Sequence, residues 1–253
     1  MGSVIAVASG KGGTGKTTTC AALSAALSRM GKKVLAVDCD FGLRNLDLAL
    51  GLYDNVVFDL ADAINGTCSP EDTIIHHGKY TSLDFISAPQ DETKATFTEE
   101  SFATFIRDIA PDYDFVFLDC PASIGHAFSC AIGAADKAFV VTTPQAYSIR
   151  DAQKIADIII ERGIEDTRLI INMIRIRFMR RGYSKNIDDI MDAVALPLAG
   201  VIPYDEGVGA HQNRHLDIMD DPSLQASQAF SNIAKRLLGE RVPILKMKNK
   251  RFK

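Results

Sequence analysis

The hydrophobic positions of this chain fall into short continuous runs that alternate with longer segments of helical periodicity. Seven runs are apolar at nearly every position, which is typical of parallel strands buried on both faces: Val4–Ala8, Lys33–Val37, Leu83–Ser87, Phe115–Leu118, Ala138–Thr142, Arg168–Asn172 and Leu198–Ile202. Helical patterns cover Gly15–Met30, Thr98–Ile109, Ser148–Arg162, Ile187–Val194 and Ser223–Leu238. This alternation predicts an α/β fold with a doubly wound, mostly parallel sheet flanked by helices.

Charge is unevenly spread along the 253 residues, although the net charge is only −4. The segment from Arg241 to Lys253 holds six bases and no acid, so the other 240 residues carry 22 bases against 32 acids. No apolar run approaches the roughly 18–20 residues of a membrane span, and the composition excludes a disordered or collagen-like chain. We predict one domain over residues 1–240 and a basic appendage over residues 241–253.

Cysteine usage indicates a reducing compartment. The five cysteines form no C-x-x-C pair, and their odd number argues against a disulfide framework or a structural zinc site: Cys20, Cys39, Cys68, Cys120 and Cys130. The first residues show no basic region followed by a cleavable apolar stretch. We therefore expect buried free thiols and a cytoplasmic protein.

A glycine-rich segment between the first strand and the first helix carries the strongest chemical signal. It reads Gly10-Lys11-Gly12-Gly13-Thr14-Gly15-Lys16-Thr17 and fits G-x-x-x-x-G-K-[ST] at every position. Glycines let backbone N–H groups wrap phosphates, and the following helix points its positive end at them. The pattern predicts an ATP site in which Lys16 reaches the β- and γ-phosphates, Thr17 ligates Mg²⁺ and the adjacent Thr18 contacts the nucleotide.

Acidic residues end two of the buried strands. Asp119 follows the apolar run Phe115–Leu118, where a carboxylate that holds Mg²⁺ directly or through water is expected. Asp38 and Asp40 end the second strand, and their spacing of two puts both carboxylates on one side of an extended chain. One of the two carboxylates can orient the attacking water, and the other can orient groups in the shell around the metal ion. The alternatives are a turn residue for Asp119 and caps of the following turn for Asp38 and Asp40.

The second lysine in the phosphate loop, Lys11, is not needed by an ordinary phosphate loop, but it can act across a subunit interface as an arginine finger does. The string K-G-G-x-G-K-T resembles the deviant Walker A loop of the MinD/ParA ATPases. The resemblance implies an ATP-dependent homodimer in which Lys11 contacts the partner's nucleotide. It also implies that Asp40 positions the attacking water, that Asp38 belongs to the magnesium surroundings, and that Asp119-Cys120-Pro121-Ala122-Ser123-Ile124-Gly125 is a switch segment.

The stretch Gly42-Leu43-Arg44-Asn45-Leu46-Asp47-Leu48 resembles the MinD branch of this family in particular. The resemblance extends along nearly the whole chain and implies an ATPase that helps place the cell-division septum. Its implied partners are a MinC-type division inhibitor, near Asn45, Leu48 and Asp151, and a topological factor that is either MinE-type or a polar anchor.

Two later motifs resemble the adenine-binding elements of the family. They are Ile171-Asn172 and Val201-Ile202-Pro203-Tyr204-Asp205. Asn172 and Asp205 can hydrogen-bond an adenine edge, and Pro203 can pack on its face. A strand-end cap for Asn172 and a helix N-cap for Asp205 are the alternatives, and both roles can hold together.

The last residues mix large apolar and basic side chains. Drawn as a helix, Ile244, Leu245, Met247 and Phe252 fall within an arc of about 160° that Lys248 and Arg251 interrupt. The resemblance implies a weakly amphipathic tail that targets anionic membrane lipid, with two tails per dimer supplying avidity. A disordered basic tail is the alternative.

Two other functions are consistent with parts of the sequence. A ParA-like or flagellar-placement ATPase that positions DNA or other cargo would use basic surface such as the cluster Arg175, Arg177, Arg180 and Arg181, which otherwise reads as a solvated loop or a dimer contact. The acidic body argues against such binding, so we expect no specific nucleic acid. An iron–sulfur carrier would need cluster cysteines, and this chain has Cys120 and Cys130 but no paired cysteine motif.

Overall fold

The computed structural model describes residues 2–52, 55–214 and 216–247. Within these residues eight strands form one sheet. Their bounds are β1 Ser3–Ala8, β2 Val34–Asp38, β3 Ile75–His76, β4 Leu83–Ile86, β5 Phe115–Asp119, β6 Lys137–Thr142, β7 Thr167–Ile174 and β8 Leu198–Pro203. The strand order is β3-β4-β2-β5-β1-β6-β7-β8, and every neighbouring pair is parallel except β3 and β4.

Helices connect the parallel strands and cover both faces of the sheet. In the described part of the chain they are α1 Lys16–Arg29, α2 Leu46–Leu50, α3 Leu60–Ile64, α4 Glu99–Ile109, α5 His126–Ala134, α6 Ala146–Glu161, α7 Ile176–Arg180, α8 Ile187–Val194, α9 Glu206–Gln212 and α10 Gln225–Leu237. The predicted doubly wound α/β fold is confirmed.

Two hydrophobic cores lie on opposite faces of the sheet. One core packs α1 and α10 against the strands, with Leu23, Leu27 and Phe230 fully buried. The other packs α4, α5, α6 and α8, with Phe102 and Phe128 among its largest side chains. Because every central strand is covered on both faces, its residues are apolar at nearly every position, which is the pattern that the sequence shows.

The long predicted elements are confirmed to within two residues at each end. The short ones were not predicted: β3, α2, α3, α5, α7 and α9. Four of these five helices have five to seven residues and complete too few turns for an apolar period to stand out, and the nine residues of α5 are mostly small or apolar, with no clear polar face.

The end of the described chain packs against the body of the protein. Residues 241–247 form neither helix nor strand, and Leu245 and Met247 pack against the two cores. The Arg236 guanidinium donates hydrogen bonds to the carbonyl oxygens of Ala199, Val242 and Pro243 at 2.8–3.0 Å. The helical arc predicted for the tail runs on into residues 248–253, which lie outside the described residues.

Among the described residues, none of the helices combines the length and apolar character required to cross a bilayer.

The cysteines are free thiols, as predicted. Cys20, Cys39, Cys120 and Cys130 are buried, and burial raises the pKa of each. In the part of the chain that the structure describes, no three His, Cys, Asp or Glu side chains are arranged to hold a metal ion by themselves.

Candidate nucleotide-binding site

The phosphate loop lies between β1 and α1 at the carboxyl edge of the sheet and is wedged against two other elements. Gly15 precedes α1 with φ of 90°, and a Cβ there would lie 2.3 Å from Nδ2 of Asn172. A Cβ on Gly10 would lie 2.4 Å from the main-chain oxygen of Asp151 in α6. Glycine is therefore required at both positions, because the loop has no room for a side chain against β7 or α6.

Hydroxyl groups fix the main chain of the loop. Ser9 Oγ donates to the Lys11 carbonyl oxygen at 2.8 Å, and Thr14 Oγ1 donates to the same oxygen at 3.4 Å. At the start of α1, Thr18 Oγ1 accepts a hydrogen bond of 2.7 Å from Gln212, at the end of α9. Thr18 thus already has a partner at the end of α9, and its predicted contact with the nucleotide stays a prediction.

Lys16 and Asp119 lie close enough beside the loop for the lysine charge to act on the carboxyl group. Both are buried, with 8% and 1% of their surfaces exposed. Burial raises the pKa of Asp119, and the neighbouring Asp38 raises it further, while the Lys16 charge and a hydrogen bond with Thr17 oppose this. The register pairs Asp38 directly with Asp119 across β2 and β5, so two carboxylates share one small volume.

One carboxylate oxygen in this cluster has no partner. Asp119 Oδ1 is buried without a hydrogen bond to any described residue. A buried oxygen of this kind is costly unless a cation or ordered water completes its environment. Together with the Thr17 hydroxyl, an oxygen donor set of this chemistry fits Mg²⁺ or its coordinated water.

Asp38 and Asp40 are separated by one residue but have different environments. Asp38 is fully buried and accepts three main-chain N–H bonds: Oδ1 from Asp40 at 2.8 Å, and Oδ2 from Asn45 and Leu46 at 3.0 Å each. Asp40 is only half-buried; burial raises its pKa and the Lys16 charge lowers it. The capping alternative therefore holds for Asp38, whereas Asp40 lies at the open edge of the site. The predicted magnesium and water roles of the two stay predictions.

Asp38 anchors the segment from Gly42 to Leu48. Within it, Arg44 adopts φ of 43° and its Nε donates to Oδ2 of the buried Asp47 at 2.5 Å. This main-chain course leaves Leu43 71% and Leu48 41% exposed. The segment combines a fixed backbone with exposed leucine side chains beside the phosphate site.

Lys11 faces away from the buried cluster. Its side chain is exposed, and Nζ lies 3.8 Å from the centroid of the Tyr147 ring at the start of α6. An open cleft of about 1090 Å³ borders this pair and reaches to Arg175, Phe178 and Tyr204. The loop thus presents one buried lysine and one exposed lysine.

The residues predicted to contact adenine already have partners within the chain. Asn172 Nδ2 donates to the Thr14 carbonyl oxygen at 2.8 Å, across to the phosphate loop. Asp205 caps α9 by accepting from Gly207 at 3.2 Å and also accepts from Gln225 at 2.9 Å. Pro203 is buried as the last residue of β8. The structural alternatives for Asn172 and Asp205 are thus present, and adenine contact stays a prediction for all three.

Sequence reasoning did not anticipate several side chains around the site. Gln212 from α9 bonds Thr18 at the start of α1, and Tyr147 from α6 contacts Lys11 in the loop. The guanidinium of Arg175, which belongs to the predicted arginine cluster, lies 3.7 Å from the centroid of the Tyr204 ring. Neither Tyr147 nor Gln212 belongs to a motif, so only the tertiary packing brings them to the loop. The four clustered arginines are all exposed, on α7 and its flanks.

The fold and site together define a class. A phosphate loop between the central strand and its helix, with a buried acid at the tip of the adjacent strand, is the arrangement of a P-loop nucleoside triphosphatase. The AAA domain family model matches residues 2–172.

Comparison with known proteins narrows this class. The chain is 39% identical to septum site-determining protein MinD of Bacillus subtilis over 246 residues, covering 96% of this chain and 92% of that protein. It is 36% identical to MinD of Helicobacter pylori, with 99% and 96% covered. The chain therefore belongs to the MinD family of P-loop ATPases, and the predicted resemblance is confirmed.

Solved structures of MinD proteins also match the fold of this chain. The MinC:MinD cell division complex of Aquifex aeolicus matches with a TM-score of 0.90 at 34% identity, covering 96% of this chain and 98% of that one. MinD of Pyrococcus horikoshii, complexed with Mg-ADP, matches with a TM-score of 0.84 at 29% identity, covering 96% and 100%.

Proposed function

We propose that this chain is an ATP-dependent, dimerising, membrane-associated ATPase that helps place the division septum by recruiting a MinC-type inhibitor to the membrane. The observation that carries the proposal is the pair of lysines in one loop. Lys16 is buried beside Asp119, where it serves the chain's own nucleotide, and Lys11 is exposed and directed outward. A cation so placed can complete the nucleotide site of a second copy.

Each residue of the site has a distinct part in ATP hydrolysis. The glycine-rich backbone and Lys16 hold the phosphates, while Thr17 and Asp119 hold Mg²⁺, which neutralises charge on the phosphate oxygens when bound. Asp40, half-buried near the Lys16 charge, orients the attacking water. Asp38 keeps the Asp40 main chain in place through its hydrogen bond to that residue's N–H. Pro203, Asn172 and Asp205 are proposed to form the adenine end of the site, with Asn172 also joining that end to the phosphate loop.

The regulator surface is the exposed side of the segment that Asp38 anchors. Asn45 and Leu48 are exposed there, and Ile124 of the switch segment is 59% exposed. The Aquifex protein forms a complex with MinC, which supports an inhibitor of the same type as the partner here. The main chain of this segment is hydrogen-bonded to Asp38 at the end of β2. A structural change at the nucleotide can therefore move the surface that Asn45 and Leu48 form. Asp151 packs on Gly10 from α6, on the other face of the sheet from Asn45 and Leu48, and is the part of the proposed regulator surface next to the phosphate loop.

Membrane attachment is assigned to the basic C-terminal residues. Leu245 and Met247 pack against the body, so the apolar contribution of residues 241–247 to lipid binding is reduced to Ile244, which is 41% exposed. Residues 248–253 add four bases and Phe252 in sequence. Each base near an anionic surface contributes about 1 kcal/mol, so attachment should depend strongly on salt and on having two tails per dimer. The protein is then cytoplasmic, and peripheral on the inner face of the membrane when ATP is bound.

ATP turnover and dimerisation test the enzymatic part. Lys16→Ala should abolish ATP hydrolysis, because the phosphates lose their buried cation. Lys11→Ala should retain nucleotide binding but remain monomeric with ATP by analytical ultracentrifugation. Wild-type turnover in Lys16→Ala, or an unchanged dimer in Lys11→Ala, would contradict the assignment.

Vesicle sedimentation tests the membrane part. A variant truncated after Met247 lacks only residues 248–253 and keeps residues 241–247, which Arg236 holds by hydrogen bonds. Truncation after Glu240 would also uncover the core surface that Leu245 and Met247 cover. We expect the full chain with ATP to pellet with vesicles containing anionic lipid, and the chain ending at Met247 to stay in solution with unchanged ATP binding. Equal pelleting of the two would refute the role of the tail.

A ParA-like function is the second candidate, favoured by two observations. The four arginines around α7 are exposed beside the cleft, and the ParA family ATPase of Chlorobium tepidum matches with a TM-score of 0.79 at 27% identity. Retention on DNA that falls steeply with salt, is lost in an Arg177→Ala/Arg180→Ala double variant and occurs without lipid binding would favour this alternative.

A further inference from the structure

The exposed lysine of the phosphate loop rests on an aromatic ring. Lys11 Nζ lies 3.8 Å from the Tyr147 ring centroid, well inside the roughly 6 Å limit for a cation–π contact. Lys11 forms no ion pair with any acid in the described part of the chain. The ring face is therefore the contact that defines where this cation lies in the isolated chain.

The main chain around Tyr147 is held in place by contacts of its neighbours in α6. It lies in the first turn of α6, and one turn further along the same face Asp151 packs directly against Gly10. Next to Tyr147, Ser148 Oγ lies 3.0 Å from Thr142 Oγ1 and accepts from the Thr143 N–H at 3.2 Å. The phosphate loop and the start of α6 are thus packed together, which places the main chain of Tyr147 beside the loop and its ring within reach of Lys11.

We propose that Tyr147 is a positioning residue that holds Lys11 on its own subunit until the dimer forms. The inference rests on the proposed function, in which Lys11 reaches the nucleotide of a second copy. To reach it, Lys11 must leave the Tyr147 ring, and the ring therefore competes with the partner's phosphates. The ring stabilises the monomer and raises the concentration at which ATP-bound chains pair.

The strength of the cation–π contact between Lys11 and Tyr147 determines how much the ring changes the dimerisation equilibrium. A cation–π contact at an exposed site corresponds to roughly a 2- to 5-fold change in an equilibrium constant. Tyr147 is 52% exposed, so the exposed range applies. Two lysines are released for each dimer, so removing both rings should tighten the dimer about 5- to 30-fold.

Two variants separate the ring from the rest of the side chain. Tyr147→Leu removes the aromatic face and keeps bulk, whereas Tyr147→Phe keeps the face and removes only the hydroxyl. We expect the dimer dissociation constant, measured by sedimentation equilibrium with a non-hydrolysable ATP analogue, to fall about 5- to 30-fold in Tyr147→Leu and to change less than about twofold in Tyr147→Phe. The affinity of the monomer for nucleotide should be the same in all three proteins.

A second measurement does not depend on dimerisation. The rate at which an amine-acylating reagent modifies Lys11 in nucleotide-free monomer, followed by mass spectrometry, should rise roughly 2- to 5-fold in Tyr147→Leu and not in Tyr147→Phe. Unchanged acylation in Tyr147→Leu, or an equal rise in Tyr147→Phe, would overturn the inference. Wild-type chains that stay monomeric with the analogue would refute the proposed dimerising function instead, and the acylation rates would still decide the role of Tyr147.

Discussion

Substitution of Asp38 offers a sharp test of how the site is built. Asp38→Ala removes the acceptor for three main-chain N–H groups, those of Asp40, Asn45 and Leu46. The bond to Leu46 is buried and the other two are partly buried. A buried unsatisfied donor costs about 1–3 kcal/mol and a partly solvated one about 0.5–1.5 kcal/mol, so the gross loss is about 2–6 kcal/mol.

An opposing effect reduces this loss. Asp38 is buried against Asp119, and burial raises the pKa of both carboxyl groups, so removal of one carboxylate relieves repulsion. We therefore expect a net loss in the free energy of unfolding of about 2–4 kcal/mol, a large fraction of the ~5–15 kcal/mol typical of a domain. Asp40→Ala is the matched control, because Asp40 is half-buried and its carboxylate anchors no comparable loop. It should change stability by less than about 1 kcal/mol.

Urea unfolding without nucleotide, at one pH near neutrality, measures the difference. Both variants should retain the wild-type dependence on urea, which reports the surface exposed on unfolding. In addition, hydrogen exchange at the main chain of Asn45 and Leu46 should accelerate in Asp38→Ala only. A loss below about 1 kcal/mol for Asp38→Ala, or equal losses for both variants, would refute the anchoring role.

Three further outcomes are expected. Asn172→Leu loses the donor to the Thr14 carbonyl and should weaken ATP binding about tenfold by calorimetry; unchanged affinity would show that this contact does not shape the loop. His77 accepts from the N–H groups of Lys79 and Tyr80 through Nδ1, and burial lowers its pKa, so its stabilisation is present above the unfolded value of about 6.5 and is lost as pH falls through the lower folded value. The His77→Gln variant should therefore lose less stability than wild type between about pH 7.5 and 5, and a parallel pH profile would contradict this. Arg236→Met should lower stability by about 1–3 kcal/mol and speed proteolysis within residues 241–247, whereas Lys235→Met, with no such bonds, should do neither.

The fold could be predicted because its central strands are buried on both faces. Val34–Asp38 and Phe115–Asp119 are continuous apolar runs with an acid at the tip, and parallel strands place those tips at one edge of the sheet. The phosphate loop could equally be predicted from the sequence, since its glycines and Lys16 are close together in the chain. Short helices such as α2 were not, because five residues carry no clear period.

Local spacing could not separate the roles of neighbouring acids. Asp38 and Asp40 look equivalent in sequence, yet the course of the chain after Asp40 brings three N–H groups to Asp38 and leaves Asp40 at the open edge. In the same way, the sequence alone gave no reason to join Tyr147 to Lys11, which are 136 positions apart. Their contact exists because α6 packs against the loop at Gly10 and Asp151.

The sequence by itself determined the α/β class, the phosphate loop with its two lysines, the strand-tip acids and the family, because each of these depends on residues that are adjacent or periodic in the chain. Only the tertiary structure decided which side chains are already engaged: Asn172 with the loop, Asp205 with α9 and α10, and Leu245 and Met247 with the cores. Burial and hydrogen bonding depend on segments that are distant in sequence, and these segments meet only when the sheet has formed.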